Sequence, residues 1–146
     1  MKKIAPSILS ADFTRLGADI ESVSIADYIH FDVMDGVFVP NISVGLPVLK
    51  CVRKSFKDAE LDVHLMITQP VRYVEQFCKC GADIVTVHLE ADTEDNIIKA
   101  MELIRANDKR AGVSVKPGTP ADKLVPFLLY ADLILVMTVE IGRAHV

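Results

Sequence analysis

Short β-branched and apolar runs alternate with longer amphipathic stretches along the whole chain, and this alternation most constrains what the chain can fold into. Strand-like runs fall at Ile4 to Leu9, Tyr28 to Val33, Leu61 to Met66, Ile84 to His88, Ala111 to Val115 and Leu133 to Val139. Between them, Phe13 to Ile25, Leu46 to Ser55, Pro70 to Cys80, Thr93 to Asn107 and Pro120 to Leu129 carry helical spacing. Repeated strand–helix units imply an α/β fold with a parallel sheet. Strands of such a sheet are buried on both faces and read as near-continuous apolar runs, as Ile84-Val-Thr-Val-His-Leu and Leu133-Ile-Leu-Val-Met do. Helix ends are marked too: Thr93 precedes the acidic pair Glu94-Asp95, Pro70 and Pro120 suit a first helical position, and Gly81 reads as a stop after Cys80.

With 146 residues, half of them hydrophobic and a quarter charged, the chain is long enough for one core and one domain. A net charge of -4 and the lack of a basic run exclude an electrostatic nucleic-acid partner. Pro6, Ser7, Ser10 and Asp12 interrupt the start before a signal-peptide core can form, and Leu133 to Met137 is far too short to cross a bilayer. The expectation is a cytoplasmic protein with no membrane partner. Three cysteines, two of them in a Cys78-x-Cys80 arrangement whose thiols diverge on a helix, argue for neither a disulfide frame nor a zinc knuckle.

The run Tyr28-Ile-His-Phe-Asp-Val-Met-Asp-Gly places His30 and Asp32 two residues apart in a strand, hence on one face, just before a glycine turn. About thirty residues on, Leu61-Asp-Val-His-Leu-Met offers His64 near the end of another apolar run. Two imidazoles and a carboxylate on neighbouring strand ends suit a divalent metal, with zinc, iron, manganese and cobalt all acceptable to that donor set. An ionised Asp32 there could also serve as a base, so the constellation points to proton abstraction next to a carbonyl. A lone strand histidine is more often a hydrogen-bonded core residue; His88 is assigned to that role or to support of the ligands. Asp62 shares the His64 face and either orients it or is bonded in the interior. Turn chemistry accounts for Asp35 before Gly36 and for Lys116-Pro-Gly-Thr-Pro.

Six strand-like runs pose a topological choice between an open doubly wound sheet and a (β/α)8 barrel, which needs eight strands to close. The final Ile-Gly-Arg-Ala-His-Val resembles translated adapter read-through, so the expected organisation is a partial barrel over residues 1–140 and a non-native tail at 141–146.

Six strings in order, Ala5-Pro-Ser-Ile-Leu-Ser-Ala-Asp-Phe, His30-Phe-Asp-Val-Met-Asp-Gly-Val-Phe-Val-Pro-Asn, Asp62-Val-His-Leu-Met, His88-Leu-Glu-Ala, Val115-Lys-Pro-Gly-Thr-Pro and Val136-Met-Thr-Val-Glu, resemble ribulose-phosphate 3-epimerase across residues 1–140. The resemblance implies a (β/α)8 TIM barrel of the ribulose-phosphate-binding type, here truncated after about six strands. It implies an isomerase of carbohydrate metabolism, in the pentose phosphate pathway, that interconverts D-ribulose 5-phosphate and D-xylulose 5-phosphate through a metal-stabilised enediolate. His30, Asp32 and His64 would hold one divalent metal, and Asp32 would be one of two carboxylate acid/bases. Ser7 and His64 would contact the sugar phosphate, with Met34, Met66 and Met137 as a collar around the reacting carbons. The full-length protein would be a homo-oligomer.

In the family the stretch after Val139-Glu140 continues into Pro-Gly-Phe-Gly-Gly, followed by further phosphate loops and, on strand seven, a second catalytic aspartate that is also the fourth metal ligand. Lacking these, the 146-residue chain is expected to be inactive by itself. Three rivals stand beside this reading. Related barrels of the orotidine-phosphate decarboxylase and hexulose-phosphate synthase type carry Asp-x-Lys-x-x-Asp, where this chain has Asp62-Val-His-Leu-Met-Ile. An epimerase of a six-carbon ketose phosphate such as allulose 6-phosphate fits the same residues. The third is a non-catalytic fragment that binds metal or partner chains through open barrel edges.

Overall fold

The computed structural model describes residues 2–138. Five strands, β1 (Ile29–Met34), β2 (Leu61–Met66), β3 (Ile84–His88), β4 (Arg110–Val115) and β5 (Leu133–Val136), pair in sequence order into one parallel sheet. The intervening helices are α1 (Leu16–Ser22) before the sheet, α2 (Leu46–Ser55) between β1 and β2, α3 (Val74–Lys79) between β2 and β3, and α4 (Glu94–Ala106) between β3 and β4. A doubly wound sheet reverses its strand order partway. This sheet does not, and each strand lies beside its sequence neighbours as in an α/β barrel.

The expected number of strands needs correction. Ile4 to Leu9 forms no strand: it contributes one parallel bridge, Ser7 to His30, with His30 N–H donating to the Pro6 carbonyl at 2.9 Å. The next rung of that ladder would require an N–H from Pro6, which proline lacks. The sixth expected run ends early, at Val136, and its last residue, Val139, lies outside the described residues, as do Glu140 and the tail at 141–146.

The helices depart from expectation where proline or loop chemistry intervenes. Over Pro120 to Leu129 the chain makes a 3-10 helix (Ala121–Phe127), because Pro126 has no N–H to donate and its ring crowds the carbonyl four residues back. A 3-10 turn also precedes α1 at Phe13–Arg15 and α3 at Pro70–Arg72. By contrast α2 occupies the expected span, and α4 fills the span between its caps, with Thr93 accepting from Asn96 N–H at 3.4 Å.

The two faces of the sheet differ in chemistry. Phe31, Val63, Leu65, Val85, Val87, Ala111 and Val113 face the helices, where they join Leu49, Val52, Val74, Phe77, Ile97, Met101 and Ile104 in one buried core. Ile97, Ala100, Met101 and Ile104 are the buried stripe of α4, at the spacing of one helical face. Register puts the remaining residues opposite one another on the other face: His30 with Asp62, Asp32 with His64, His64 with Thr86, Thr86 with Gly112 and His88 with Ser114. In a barrel that face is the interior.

At the amino ends of the strands, Arg53 from the last turn of α2 donates to the carbonyls of Phe56, Lys57, Ala59 and Gly81 and pairs with Asp83. It ties the α2–β2 connection to the α3–β3 connection through their loop carbonyls. At the other margin Ile134 and Val136 of β5 stay exposed, as do Val125, Leu128 and Leu129. That edge is apolar.

Interior packing is tight where a small residue faces a branched one. A methyl group on Gly112 would lie 2.9 Å from Cβ of the buried Thr86. Thr86 has a stiff, branched side chain, so Gly112→Ala should destabilise the protein by about 1–3 kcal/mol. Chemical unfolding measures this, and adding Thr86→Ala should restore most of the loss. An unchanged midpoint for Gly112→Ala alone would show that this interior yields easily.

Candidate active site

The carboxyl end of β1 is shaped by the loop that follows it. Asp35 accepts from the N–H groups of Val37 and Phe38 and from both N–H and hydroxyl of Thr68, which fastens the β1 turn to the end of β2. Gly36 has φ +75, a left-handed conformation that suits glycine. Ser43 then folds back, its hydroxyl donating to the Asp32 carbonyl at 2.5 Å and accepting from Met34 N–H at 3.0 Å. Thus Asp35, read from sequence as turn chemistry, also braces two strands.

His30, Asp32 and His64 converge. Their ligand atoms lie within 4.8 Å of one another. Asp32 Oδ1 is 3.3 Å from His30 Nε2 and 3.2 Å from His64 Nδ1, while Oδ2 accepts the Ser7 hydroxyl at 2.5 Å. Both imidazoles turn one nitrogen into the cluster and have the other held from behind. His30 Nδ1 meets Asp62 Oδ2 at 2.7 Å, and His64 Nε2 meets His88 Nε2 at 2.7 Å. Metal-binding histidines are held in this way, since a partner on the far nitrogen fixes ring orientation and tautomer. The donor set therefore fits a divalent metal, with one nitrogen or oxygen from each residue turned inward.

The structure decides between the alternatives left open for Asp62 and His88. Asp62 orients His30 rather than His64, because parallel register sets Asp62 beside His30. His88, assigned to the core or to support of the ligands, is fully buried and bonded directly to His64; its Nδ1 is 3.4 Å from Glu90 Oε2. Glu90 was not singled out from sequence. It sits beyond β3 in a short 3-10 turn (Leu89–Ala91), and the available signal was its position two residues after a strand histidine.

Met34 and Met66, paired in register, pack with Val39, and Met137 joins the same cluster along with Leu9 and Phe38. The three methionines thus form one apolar wall.

Protonation follows from these contacts. Burial opposes charge on Asp32, but hydrogen bonds from His30, His64 and Ser7 outweigh it and hold the carboxyl well below the usual carboxylate range. For His30 burial again opposes the charge, yet Asp32 and Asp62 on its two nitrogens push it up to about 10. His64 moves the other way, since its burial lowers its pKa more than Asp32 raises it.

A parallel α/β barrel arc with ionisable side chains gathered on its inner face defines the chain as a member of the barrel class whose chemistry is carried at strand ends. Solved structures share the fold. The 3-keto-L-gulonate-6-phosphate decarboxylase of Vibrio cholerae matches with TM-score 0.69 at 13% identity, over 88% of this chain and 58% of that one. A 3-hexulose-6-phosphate synthase matches with TM-score 0.64 at 20% identity, over 99% of this chain and 70% of that one. Sequence is more specific than fold here: residues 3–144 match the model of the ribulose-phosphate 3 epimerase family, and the chain belongs to that family.

Ribulose-phosphate 3-epimerase of Synechocystis is 49% identical over 95% of this chain, and that of Bacillus subtilis 47% over 97%. A rice relative, 46% identical over 96% of the chain, is named a cytoplasmic isoform. The chain spans 61%, 65% and 63% of the length of these relatives. No helix among the described residues is long and apolar enough to cross a membrane.

The raised pKa of His30 has a measurable consequence. Ligation by its Nε2 requires the proton on that nitrogen to leave, so protons compete with the metal below about pH 10. Binding of Mn²⁺ should release about one proton per ion near pH 7–9, with apparent affinity rising about tenfold per pH unit. Calorimetry in buffers of different ionisation enthalpy counts the proton. A count near zero would show that His30 is either already neutral or not a ligand, and would remove the coupling of its protonation to metal binding.

Proposed function

We propose that the protein is a metal-dependent ribulose-phosphate 3-epimerase, interconverting D-ribulose 5-phosphate and D-xylulose 5-phosphate by taking a proton from C3 and returning one on the opposite face. The observation that carries this reading is the placement of Asp32: an ionised carboxylate near the carboxyl end of an inner strand, flanked by two imidazoles. Family membership, and identities of 47–49% to relatives named for that activity, support it.

Inversion beside a ketone needs an acid/base on each side of a planar intermediate. Asp32 is assigned to one side, and the second carboxylate to a strand that the described five do not include. Ser7 holds Asp32 Oδ2, which fixes the direction of the carboxylate and helps to keep it ionised. The contacts that keep Asp32 charged also make it a weak base, so abstraction depends on raising the acidity of C3–H. A divalent ion held by His30, Asp32 and His64 would supply positive charge against the developing enediolate oxygens. Ser7 and His64 would contact the sugar phosphate as well. Met34, Met66 and Met137 would cover the reacting carbons with a polarisable, water-excluding wall.

The decarboxylase and synthase that share the fold support no transfer of their chemistry at 13% and 20% identity. At the position where their type of barrel is expected to carry lysine, this chain has His64, which lies beside Asp32. For location, the proposal is the cytoplasm, resting on the rice relative's name.

The test is Asp32→Asn in the protein expressed from its complete reading frame. The variant should keep its fold by circular dichroism, while exchange of the C3 proton with deuterated solvent slows by about 10²–10⁴-fold or more. Near-normal epimerisation by this variant would move the base to another residue.

A further inference from the structure

Behind His64 lies a second buried chain that the reaction above does not use. His64 is 1% exposed and His88 0%. Their rings stack with centroids 4.9 Å apart, and Phe38 closes the other side of His88 at 5.1 Å. The chain runs Asp32 Oδ1, His64 Nδ1 at 3.2 Å, His64 Nε2 to His88 Nε2 at 2.7 Å, and His88 Nδ1 to Glu90 Oε2 at 3.4 Å. Carboxylates, which only accept, stand at both ends.

With both rings in the neutral form, His64 and His88 carry two N–H protons between them, but the chain has three gaps to fill. One gap must go without, and it is not the one between the rings, where two nitrogen lone pairs would face each other at 2.7 Å. If it is the Glu90 gap, His64 spends its proton on Asp32 and its Nδ1 offers no lone pair. If it is the Asp32 gap, His64 donates from Nε2, His88 donates from Nδ1, and His64 Nδ1 is free to act as a ligand.

We propose that Glu90, acting through His88, sets the tautomer of His64 so that Nδ1 faces the cluster as a lone pair. Both are positioning residues, and the proposal rests on the metal centre proposed above.

Competition for the two protons favours the Glu90 end. Asp32 has other donors close by, the Ser7 hydroxyl at 2.5 Å and His30 Nε2 at 3.3 Å, so it tolerates the empty gap. The Lys116 N–H fixes Glu90 Oε1 at 2.7 Å and thereby directs Oε2 at His88. Were the proton withheld from this gap, a lone pair of the fully buried His88 would face carboxylate oxygen. Burial opposes charge on Glu90, but hydrogen bonds from His88, Thr119 and the Lys116 backbone hold it down at about 2, so it stays an acceptor.

The experiment is long-range ¹H–¹⁵N spectroscopy of histidine-labelled protein from the complete reading frame, stripped of metal. In the wild type His64 should be the Nε2–H tautomer. Finding Nδ1–H there overturns the proposal with no variant needed. In Glu90→Gln, the amide oxygen can keep the Lys116 contact while the NH₂ group donates to His88, which reverses the chain. His64 should then shift to Nδ1–H, and Mn²⁺ affinity should fall about 10–100-fold. In a His88→Gln background, Glu90→Gln should have no further effect on affinity. A purely structural role for Glu90 would lower affinity equally in both backgrounds and leave the tautomer alone, and that result sinks the proposal. Failure of the wild type to bind Mn²⁺ at all would instead sink the metal centre, a separate outcome from the tautomer reading.

Discussion

Everything in the site depends on the register between β1 and β2. Pairing His30 with Asp62 and Asp32 with His64 brings two imidazoles and two carboxylates onto one face while Phe31 and Val63 point into the helical core. Side chains alternate with a period of two, so a slip by one residue would send the ionisable groups into the apolar layer. The apolar face resists that slip. Burying an unpaired carboxylate against Leu49 or Ile97 would cost several kcal/mol, whereas Phe31 and Val63 gain from the same position. Packing on one face of the sheet thus specifies chemistry on the other.

The interior row is costly, and the way its polar groups are matched indicates its role. His30 bridges Asp32 and Asp62, and His64 bridges Asp32 and His88. Each is a charged or polar group bonded at both ends, which low-dielectric surroundings require. Asp62 Oδ1 and Thr86 Oγ1, both deeply buried, lack a partner among the described residues. A core built for stability alone would have no use for such a row, since apolar residues of similar volume serve as well or better. The expense is understandable where the groups must present lone pairs and charge to a ligand.

Much of this was legible in the sequence, and the failures have separable causes. The apolar run of Leu61–Met66 and the β-branched density of Ile84–His88 gave those strands to the residue, and the capping signals around Thr93 gave α4 almost as closely. His30 and Asp32 were readable because strand periodicity places them on one face, and His64 because a second apolar run carries it near its end; the β1–β2 register then brings the three together. Ile4 to Leu9 was misread as a strand because its apolar pattern was weighed without the N–H that Pro6 lacks. The 3-10 stretch over Ala121–Phe127 was hidden by helical spacing that Pro126 overrides. Asp62 could not be matched to His30 in advance, since its face follows from its own strand, whereas its partner follows from register across strands. Glu90 was missed for a related reason: it lies past the strand's end, where alternation ceases to say which way a side chain turns.

The comparison with decarboxylase and synthase barrels shows how little the scaffold itself decides. Those structures superpose over most of this chain at 13% and 20% identity, so the sheet and its crossovers persist while nearly every side chain changes. In this chain the ionisable groups of the candidate site sit at the inward positions of β1, β2 and β3, with one carboxylate just beyond. A lysine in place of His64 would bring a fixed positive charge next to Asp32 and no lone pair at neutral pH, which suits ion pairing and not metal ligation. An imidazole there offers the lone pair only in one of its two tautomers. A histidine serving as the proposed ligand therefore needs tautomer control, and the buried His88, backed by Glu90, stands where that control would be applied.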